Sequence, residues 1–171
     1  MQETAIRVNR APVLTLWAAV VAERLGHPPA TALSLASVVA GTAARAKARR
    51  LGLAEDRAPH EGVAPAREVT RLLGRDIPVV AGEDGTLLAV RDGHPASAAP
   101  VEAYLARALG PRLGEVRAAM EVLADGLAPD ELNRIGFRLY EAFRPEVPED
   151  VSGWGAKGRL ELSRIRAAAG H

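Results

Sequence analysis

The segment "VAERLGHPPATALSLASVVAG", from Val21 to Gly41, decides how the fold of this chain is interpreted. Its apolar residues recur at helical spacing on both sides of Gly26, a residue type that commonly ends helices, and "HPP" follows as a connection. The segment therefore predicts two helices joined by a short turn. Such a pair can lie in a hydrophobic core, or it can present its second helix to a DNA groove.

The length and composition of the chain limit which of these two interpretations is possible. With 171 residues and 48% hydrophobic content, the chain is long enough to bury one sizeable core. Its 22 basic and 21 acidic residues nearly cancel, so no global field attracts nucleic acid or an anionic membrane. The absence of cysteine excludes a disulfide framework, a thiolate zinc site and a cysteine nucleophile, and it predicts a cytoplasmic location.

The apolar run "APVLTLWAAVVA" near the N-terminus follows Arg7 and Arg10 in a way that imitates a signal peptide. Its apolar residues nevertheless repeat at an amphipathic helical spacing, and Glu23 and Arg24 follow it at once. We therefore predict a folded helix with Trp17 in the core. No apolar run approaches the ~20 residues that a membrane-spanning helix needs, so we expect no membrane partner.

Downstream of the first helix, two readings of the second helix remain open. It runs either to Leu51, before Gly52, or it breaks at "GT" with Thr42 capping a third helix. Further on, "PAREVTRLLG" predicts a short helix. Two runs rich in branched residues around "GEDG" then predict a β-hairpin from Ile77 to Arg91.

The second half of the chain is helical again. "PVEAYLARALG", "LGEVRAAMEVLADG" and "APDELNRIGFRLYEAF" each carry apolar residues at spacings of three and four. An irregular arm follows, and "RLELSRIRAAAG" predicts a short last helix. The predicted fold is thus mainly α, a helical bundle with a single small β-hairpin. We expect an N-terminal part, 1–95, with the helix pair and hairpin, and a C-terminal helical part, 96–171, to pack as one unit.

The opening segment resembles the helix-turn-helix of bacterial DNA-binding proteins, with Gly26 at the turn and Thr31 at the start of the second helix. The resemblance implies that the second helix enters the major groove and that Thr31 and Ser34 lie at base edges. The arginine, glutamine and asparagine side chains that usually contact bases are missing there. A helical hairpin buried in a core explains the same pattern.

Charge suggests further contacts to nucleic acid. Between Arg45 and Arg75, eight basic residues face four acids, which makes a local basic patch. In a second arrangement, a winged helix, "AREVTRLLG" is the recognition helix, "GEDG" is the wing tip, and Arg67, Arg71 and Arg75 share one helical face. The predicted nucleic-acid-binding residues are Thr31, Ser34, Arg45, Lys47, Arg49, Arg50, Arg67 and Arg71.

The segment "LYEAFRPEVPEDVSGWGAKGRLELSRI", taken with "APVLTLWAAVVAERLG" and the hairpin, resembles a family of small bacterial proteins of uncharacterised function. The resemblance implies no activity that can be named. Within the segment, "GWGAKG" combines glycine, an aromatic residue and a lysine, which are residue types that cradle phosphates or stack on bases. Trp154 and Lys157 thus mark a candidate ligand loop. In the alternative interpretation, Trp154 fills the bundle core.

Catalytic chemistry has little support in the sequence. The four histidines, His27, His60, His94 and His171, are scattered without helical metal spacing, and no serine lies in a nucleophile elbow. We therefore predict no enzymatic activity, no metal and no cofactor. The predicted function is that of a bacterial DNA-binding or transcription-regulatory accessory protein. The alternative is a protein-interaction or self-assembling helical module that forms homo-oligomers.

Overall fold

The computed structural model of the chain describes residues 6–8, 10–50, 68–82, 85–91, 94–145 and 158–168, with the backbone alone at 41–50, 91 and 94. Helices dominate this described part: α1 Arg10–Arg24, α2 Pro29–Arg50, α3 Ala98–Leu109, α4 Leu113–Asp125, α5 Pro129–Phe143 and α6 Leu162–Ala167. The strands are β1 Ile6–Val8, β2 Glu68–Leu72, β3 Arg75–Ala81, β4 Leu87–Arg91, β5 His94–Pro95 and β6 Gly158–Leu160. None of the described helices has the length and apolar character needed to cross a bilayer.

The mainly α prediction is confirmed, but the prediction of a single hairpin is wrong. The described strands form two antiparallel sheets. One is the pair β1–β6, in which Ile6 lies opposite Leu160. The other has four strands in the order β2-β3-β4-β5, and the predicted hairpin from Ile77 to Arg91 forms its centre as β3 and β4.

The extra strand β2 comes from "PAREVTRLLG", for which the helix prediction is wrong. β2 pairs with β3 through a two-residue turn at Leu73 and Gly74, both with positive φ (53° and 79°), as a tight hairpin turn requires. Val69 and Thr70 are branched residues that suit a pleated surface. Pairing with β3 therefore outweighs the helix propensity of the neighbouring arginine and leucines.

This correction also removes the arginine face on which the winged-helix arrangement depends. Arg71 lies opposite Asp76, whereas Arg75 lies opposite Leu72. Successive residues of a strand point to opposite faces, so Arg71 and Arg75 lie on different faces of the sheet. Arg67 and the "GEDG" acids lie outside the described residues.

Helix α1 is the centre of the fold. Every residue from Pro12 to Ala22 is buried, whereas the sequence predicted an amphipathic helix with one core-facing side. The difference arises because α1 packs against α2, α3, α4 and α5 together. A helix that is apolar on all sides is stable only when it is surrounded. The single hydroxyl in this stretch, Thr15 Oγ1, donates to Ala11 O at 2.8 Å.

The other helix predictions agree closely with the structure. Gly26 lies in the turn just after α1 with φ +105°. Helix α2 continues without a break to Arg50, so the interpretation with a break at "GT" is wrong. The three helical segments predicted after Pro100 correspond to α3, α4 and α5. The segment predicted as the last helix is divided, because its first residues form β6 and only Leu162–Ala167 are helical.

Tyr140 on α5 links that helix to the start of α1 by a hydrogen bond. Its hydroxyl donates to Arg10 O at 3.2 Å, and Arg10 Nε donates in turn to Pro145 O at 2.8 Å. Burial raises the pKa of Tyr140 to about 12. The phenol therefore stays protonated, and remains a donor, at any ordinary pH.

The core position predicted for Trp17 is confirmed, because the residue is fully buried. Its indole Nε1 donates to Gly136 O on α5 at 2.8 Å, and its ring meets Phe143 edge-on with centroids 5.4 Å apart. A Cβ added at Gly136 would overlap Leu73 Cδ2 from the β2–β3 turn. Helix α5 thus carries a glycine where α1 and the sheet both approach its backbone.

We expect Gly136→Ala to cost ~1–3 kcal/mol through overpacking, offset by up to ~1 kcal/mol of better helix propensity, so that the free energy of unfolding measured by urea denaturation falls by about 0–2 kcal/mol. Gly114→Ala is the matched control, because Gly114 is also helical but an added Cβ would meet nothing within 4 Å. Better helix propensity should make the control up to ~1 kcal/mol more stable. Equal effects of the two changes would contradict the close approach of Leu73.

Candidate functional site

The two hydroxyl residues predicted to contact bases lie under the four-stranded sheet. Ser34 Oγ donates to Ala96 O at 2.6 Å and accepts from Ala89 N–H at 2.8 Å. Thr31 Oγ1 donates to Leu87 O at 2.7 Å. Both side chains are buried, with 0% and 1% exposure for Ser34 and Thr31. Neither reaches the surface, so in this fold neither can contact a base edge.

These bonds complete an edge of the sheet that the short strand β5 leaves open. The Ser34 hydroxyl bridges a donor on β4 and an acceptor just beyond β5, and so replaces part of a strand ladder. Buried backbone groups need such partners, because an unpaired one costs free energy comparable to a lost hydrogen bond. Helix α2 is therefore held to the sheet by polar contacts in addition to apolar packing.

At the opposite edge, one side chain of α5 bonds the turn end of β2. Leu73 N–H donates to Asn133 Oδ1 at 2.7 Å, and Asn133 Nδ2 donates to Arg71 O at 2.9 Å. The side-chain amide thus offers the donor and acceptor that a further strand would offer. Helix side chains therefore reach the sheet at both edges, but on β2 the contact is confined to the turn end, and Val69 at the other end of the strand stays 59% exposed.

The face of the sheet turned away from α2 is left apolar and partly exposed. Ile77, Val79 and Ala89 point inward and are buried. Their neighbours along the strands point outward, and the register places Val69 opposite Pro78, Val80 opposite Leu88 and Val90 opposite Pro95. The outer face is defined here as Val69, Pro78, Val80, Leu88, Val90 and Pro95.

Exposure is greatest on the first two strands of the outer face. Val69 is 59% and Val80 38% exposed, and Pro78 between them is exposed as well. Arg71 and Asp76 flank this apolar surface near the β2–β3 turn and pair with each other, with Nη1 and Oδ1 3.2 Å apart. The predicted nucleic-acid residue Arg71 therefore carries a neighbouring negative charge.

The remaining predicted site residues are not brought together in the described structure. A continuous α2 backbone carries Arg45, Lys47, Arg49 and Arg50. Arg67 and the two members of the candidate ligand loop, Trp154 and Lys157, lie outside the described residues. Their predicted roles stay predictions.

A polar cleft of about 280 Å³ separates α1 from α4. Glu23 and Arg117 form an ion pair there, and Arg24 Nη2 donates to Leu127 O at 3.0 Å. Arg24 Nε is buried 3.9 Å from Asp125 Oδ1, without a hydrogen-bond partner among the described residues. Arg117 and the Nη2 of Arg24 are therefore engaged with acceptors of neighbouring elements, whereas Arg24 Nε is not. Over the described ranges, no group of three histidine or acidic side chains could hold a metal ion.

Sequence reasoning missed the outer face because it assigned β2 to a helix. The sequence signal for this strand is limited to the β-branched residues Val69 and Thr70 and to a glycine at the turn position that follows. Apolar and polar residues do not alternate along "EVTRL", and arginine and leucine both favour helices. The register with β3 was needed to show that Val69 adds to an apolar surface.

The role of Ser34 in the sheet can be tested by Ser34→Ala. The change leaves Ala89 N–H and Ala96 C=O without this buried partner, so we expect a loss of ~1–3 kcal/mol in the free energy of unfolding. Ser37→Ala is the control, because the partly exposed Ser37 hydroxyl only donates to Ser34 O, at 2.8 Å. It should shift stability by less than ~0.5 kcal/mol. Similar urea midpoints for both variants would argue against a sheet-holding role.

The chain matches no protein-family profile, and no curated protein or solved structure is significantly similar to it. The resemblances to helix-turn-helix proteins and to a family of small bacterial proteins therefore stay predictions from the sequence.

Proposed function

We propose that this chain is a non-enzymatic protein-interaction module that binds through the outer face of its four-stranded sheet. The observation that supports the proposal is the contiguous apolar surface across β2, β3 and β4, on which Val69 is 59% exposed. Apolar patches rimmed by polar residues commonly mark interaction sites.

The chemistry of the outer face favours a protein over a nucleic acid. Its six members carry no charge, and the adjacent Arg71 is paired with Asp76. Phosphate binding depends on unneutralised lysine and arginine, and base reading depends on hydrogen-bonding side chains. A branched apolar surface instead gains free energy by losing contact with water against another protein.

The proposal can be tested with single-cysteine variants, because the natural chain has no cysteine. A photoreactive group placed at Val69→Cys should crosslink to a protein in an extract of the source organism. Excess unlabelled chain should remove the crosslink by competition, whereas excess Val69→Lys should not. The lysine places a charge where the partner's apolar surface would cover it.

Val122→Cys is the matched control, since Val122 is a 70% exposed valine on α4, away from the sheet. Its label should give no crosslink that the wild-type chain competes away. The proposed interaction surface would be contradicted if crosslinks that the wild-type chain competes away formed only at Val122→Cys. It would also be contradicted if such crosslinks formed at neither position.

A second candidate function is sequence-independent DNA binding by the C-terminal half of α2. The observation that favours it is the unbroken helix to Arg50, which places Arg45 and Arg49 four residues apart on one side. Lys47 and Arg50 add to a segment that contains no acid between Arg45 and Arg50. Basic residues without neighbouring acids suit phosphate contacts, and cations near a helix C-terminus also suit the helix dipole.

Mobility shift against salt concentration tests this candidate. Replacing Arg45, Arg49 and Arg50 with alanine should weaken binding to all DNA sequences alike, and should reduce the slope of log affinity against log salt by about one unit per lost phosphate contact. The control is alanine at Arg107 and Arg138, which are exposed arginines on α3 and α5. An unchanged slope in a folded triple variant would remove α2 from consideration.

A further inference from the structure

Strand β2 forms one edge of the four-stranded sheet, and β3 is its only partner among the described strands. Its hydrogen-bond pattern follows from the two-residue turn, because the residues that flank such a turn, Leu72 and Arg75, bond through their backbones. Bonded and non-bonded pairs alternate along an antiparallel ladder. Thr70 therefore also bonds to β3, whereas Val69 and Arg71 direct their N–H and C=O groups away from it.

Two observations support this assignment. Pro78, which lies opposite Val69, has no N–H and cannot complete a bonded pair with it. The Arg71 carbonyl accepts a hydrogen bond from Asn133 Nδ2 at 2.9 Å, so it faces α5 rather than β3. The groups left at the edge are Val69 N–H, Val69 C=O and Arg71 N–H, and no other side chain or loop within the described ranges bonds them.

The side chains at the same edge are apolar and exposed. Val69 is 59% exposed, and Pro78 beside it on the outer face is exposed as well. In strand addition, backbone hydrogen bonds hold an extended peptide, and contacts of its alternate side chains select its sequence. An edge that combines outward backbone groups with an exposed valine offers both kinds of contact.

We propose that an extended segment of a partner protein adds to β2 as a further strand, with a branched apolar residue opposite Val69. The inference rests on the proposed function and names the form of the partner. The residue opposite Val69 exchanges two backbone hydrogen bonds with it, and Arg71 N–H donates a third. Since adjacent strands lie ~4.8 Å apart, the new side chain packs beside Val69 and extends the outer face. Asn133 ends the pairing at Arg71, so the paired segment is short.

Amide hydrogen exchange of the purified full chain, followed by NMR, tests whether this edge is open. The amides of Val69 and Arg71 should exchange at least tenfold faster than those of Thr70 and Leu72, whose hydrogen bonds to β3 must break first. Slow exchange at Val69 and Arg71 in the dilute chain overturns the proposal, because the edge is then already paired. Slow exchange that develops only as the chain is concentrated also overturns it, because the occupant is then a second copy.

The probe for binding is a phage-displayed library of random linear peptides of about seven residues, selected against the wild-type chain. A selected peptide, synthesised and titrated, should bind with a Kd between about 10 µM and about 1 mM, the range of a small interface. At saturation it should slow exchange at Val69 and Arg71 at least tenfold and leave Thr70 unchanged. A library without binders, or binders that leave both outward amides unprotected, overturns the proposal.

Val69→Pro removes one outward donor and keeps an apolar side chain, and proline is tolerated on an edge strand where the N–H faces solvent. It should weaken peptide binding at least tenfold while the circular dichroism spectrum stays that of the wild type. Val122→Lys, at an exposed position on α4, is the control and should leave the affinity unchanged. Equal affinity of the wild type and a folded Val69→Pro contradicts strand addition.

A matched pair of modified peptides gives the same test without changing the chain. An N-methyl group on the peptide residue opposite Val69 removes the donor to Val69 C=O and should weaken binding at least tenfold. N-methylation of the next residue, whose N–H points away from β2, should weaken it less. Equal effects of the two methylations overturn the proposed pairing even if Val69→Pro fails to fold.

Failure of strand addition is distinguishable from failure of the proposed function. Val80 lies on the outer face but not at its edge, so Val80→Lys should weaken peptide binding less than Val69→Pro does. The reverse order places the peptide on the outer face, which overturns strand addition and leaves the interaction module standing. A library without binders, together with a competed crosslink from Val69→Cys, has the same meaning. Absence of both binders and crosslink overturns the two proposals together.

Discussion

The hydrogen bond from the Trp17 indole to Gly136 O joins the central helix to α5, and the rest of the described fold depends on that approach. Because position 136 has no side chain, Leu73 from the β2–β3 turn can pack against α5 beside that bond. Asn133, one helical turn earlier on α5, bonds the backbone of the same turn. One face of α5 thereby positions the sheet against the helical core.

Three uncharged polar side chains bond backbone groups at the two edges of the four-stranded sheet. Ser34 and Thr31 on α2 and Asn133 on α5 supply donors and acceptors to strand backbone that would otherwise be open to solvent or to another chain. An open edge invites indiscriminate pairing, because backbone groups are the same in every protein. The bonds tie both ends of the sheet to helices, whereas Val69 and Val80 of the outer face stay exposed.

The outer face combines branched apolar side chains with one balanced charge pair at its rim. Because Arg71 and Asp76 pair with each other, the charges beside this face cancel. Thr31 and Ser34 lie under the opposite side of the sheet, so the first turns of α2 serve packing.

The sequence by itself determined the helices, because apolar residues at spacings of three and four recur over long segments and Gly26 and several prolines separate them. It also placed Trp17 in the core and the central hairpin within the chain. The tertiary structure alone decided that "EVTRL" is a strand, that α1 is buried on all sides, and that Ser34 bonds the sheet. These outcomes arise from partners distant in the chain. A five-residue segment has too weak a propensity to choose between helix and strand until β3 pairs with it, and a serine on a helix shows nothing of the strand above it.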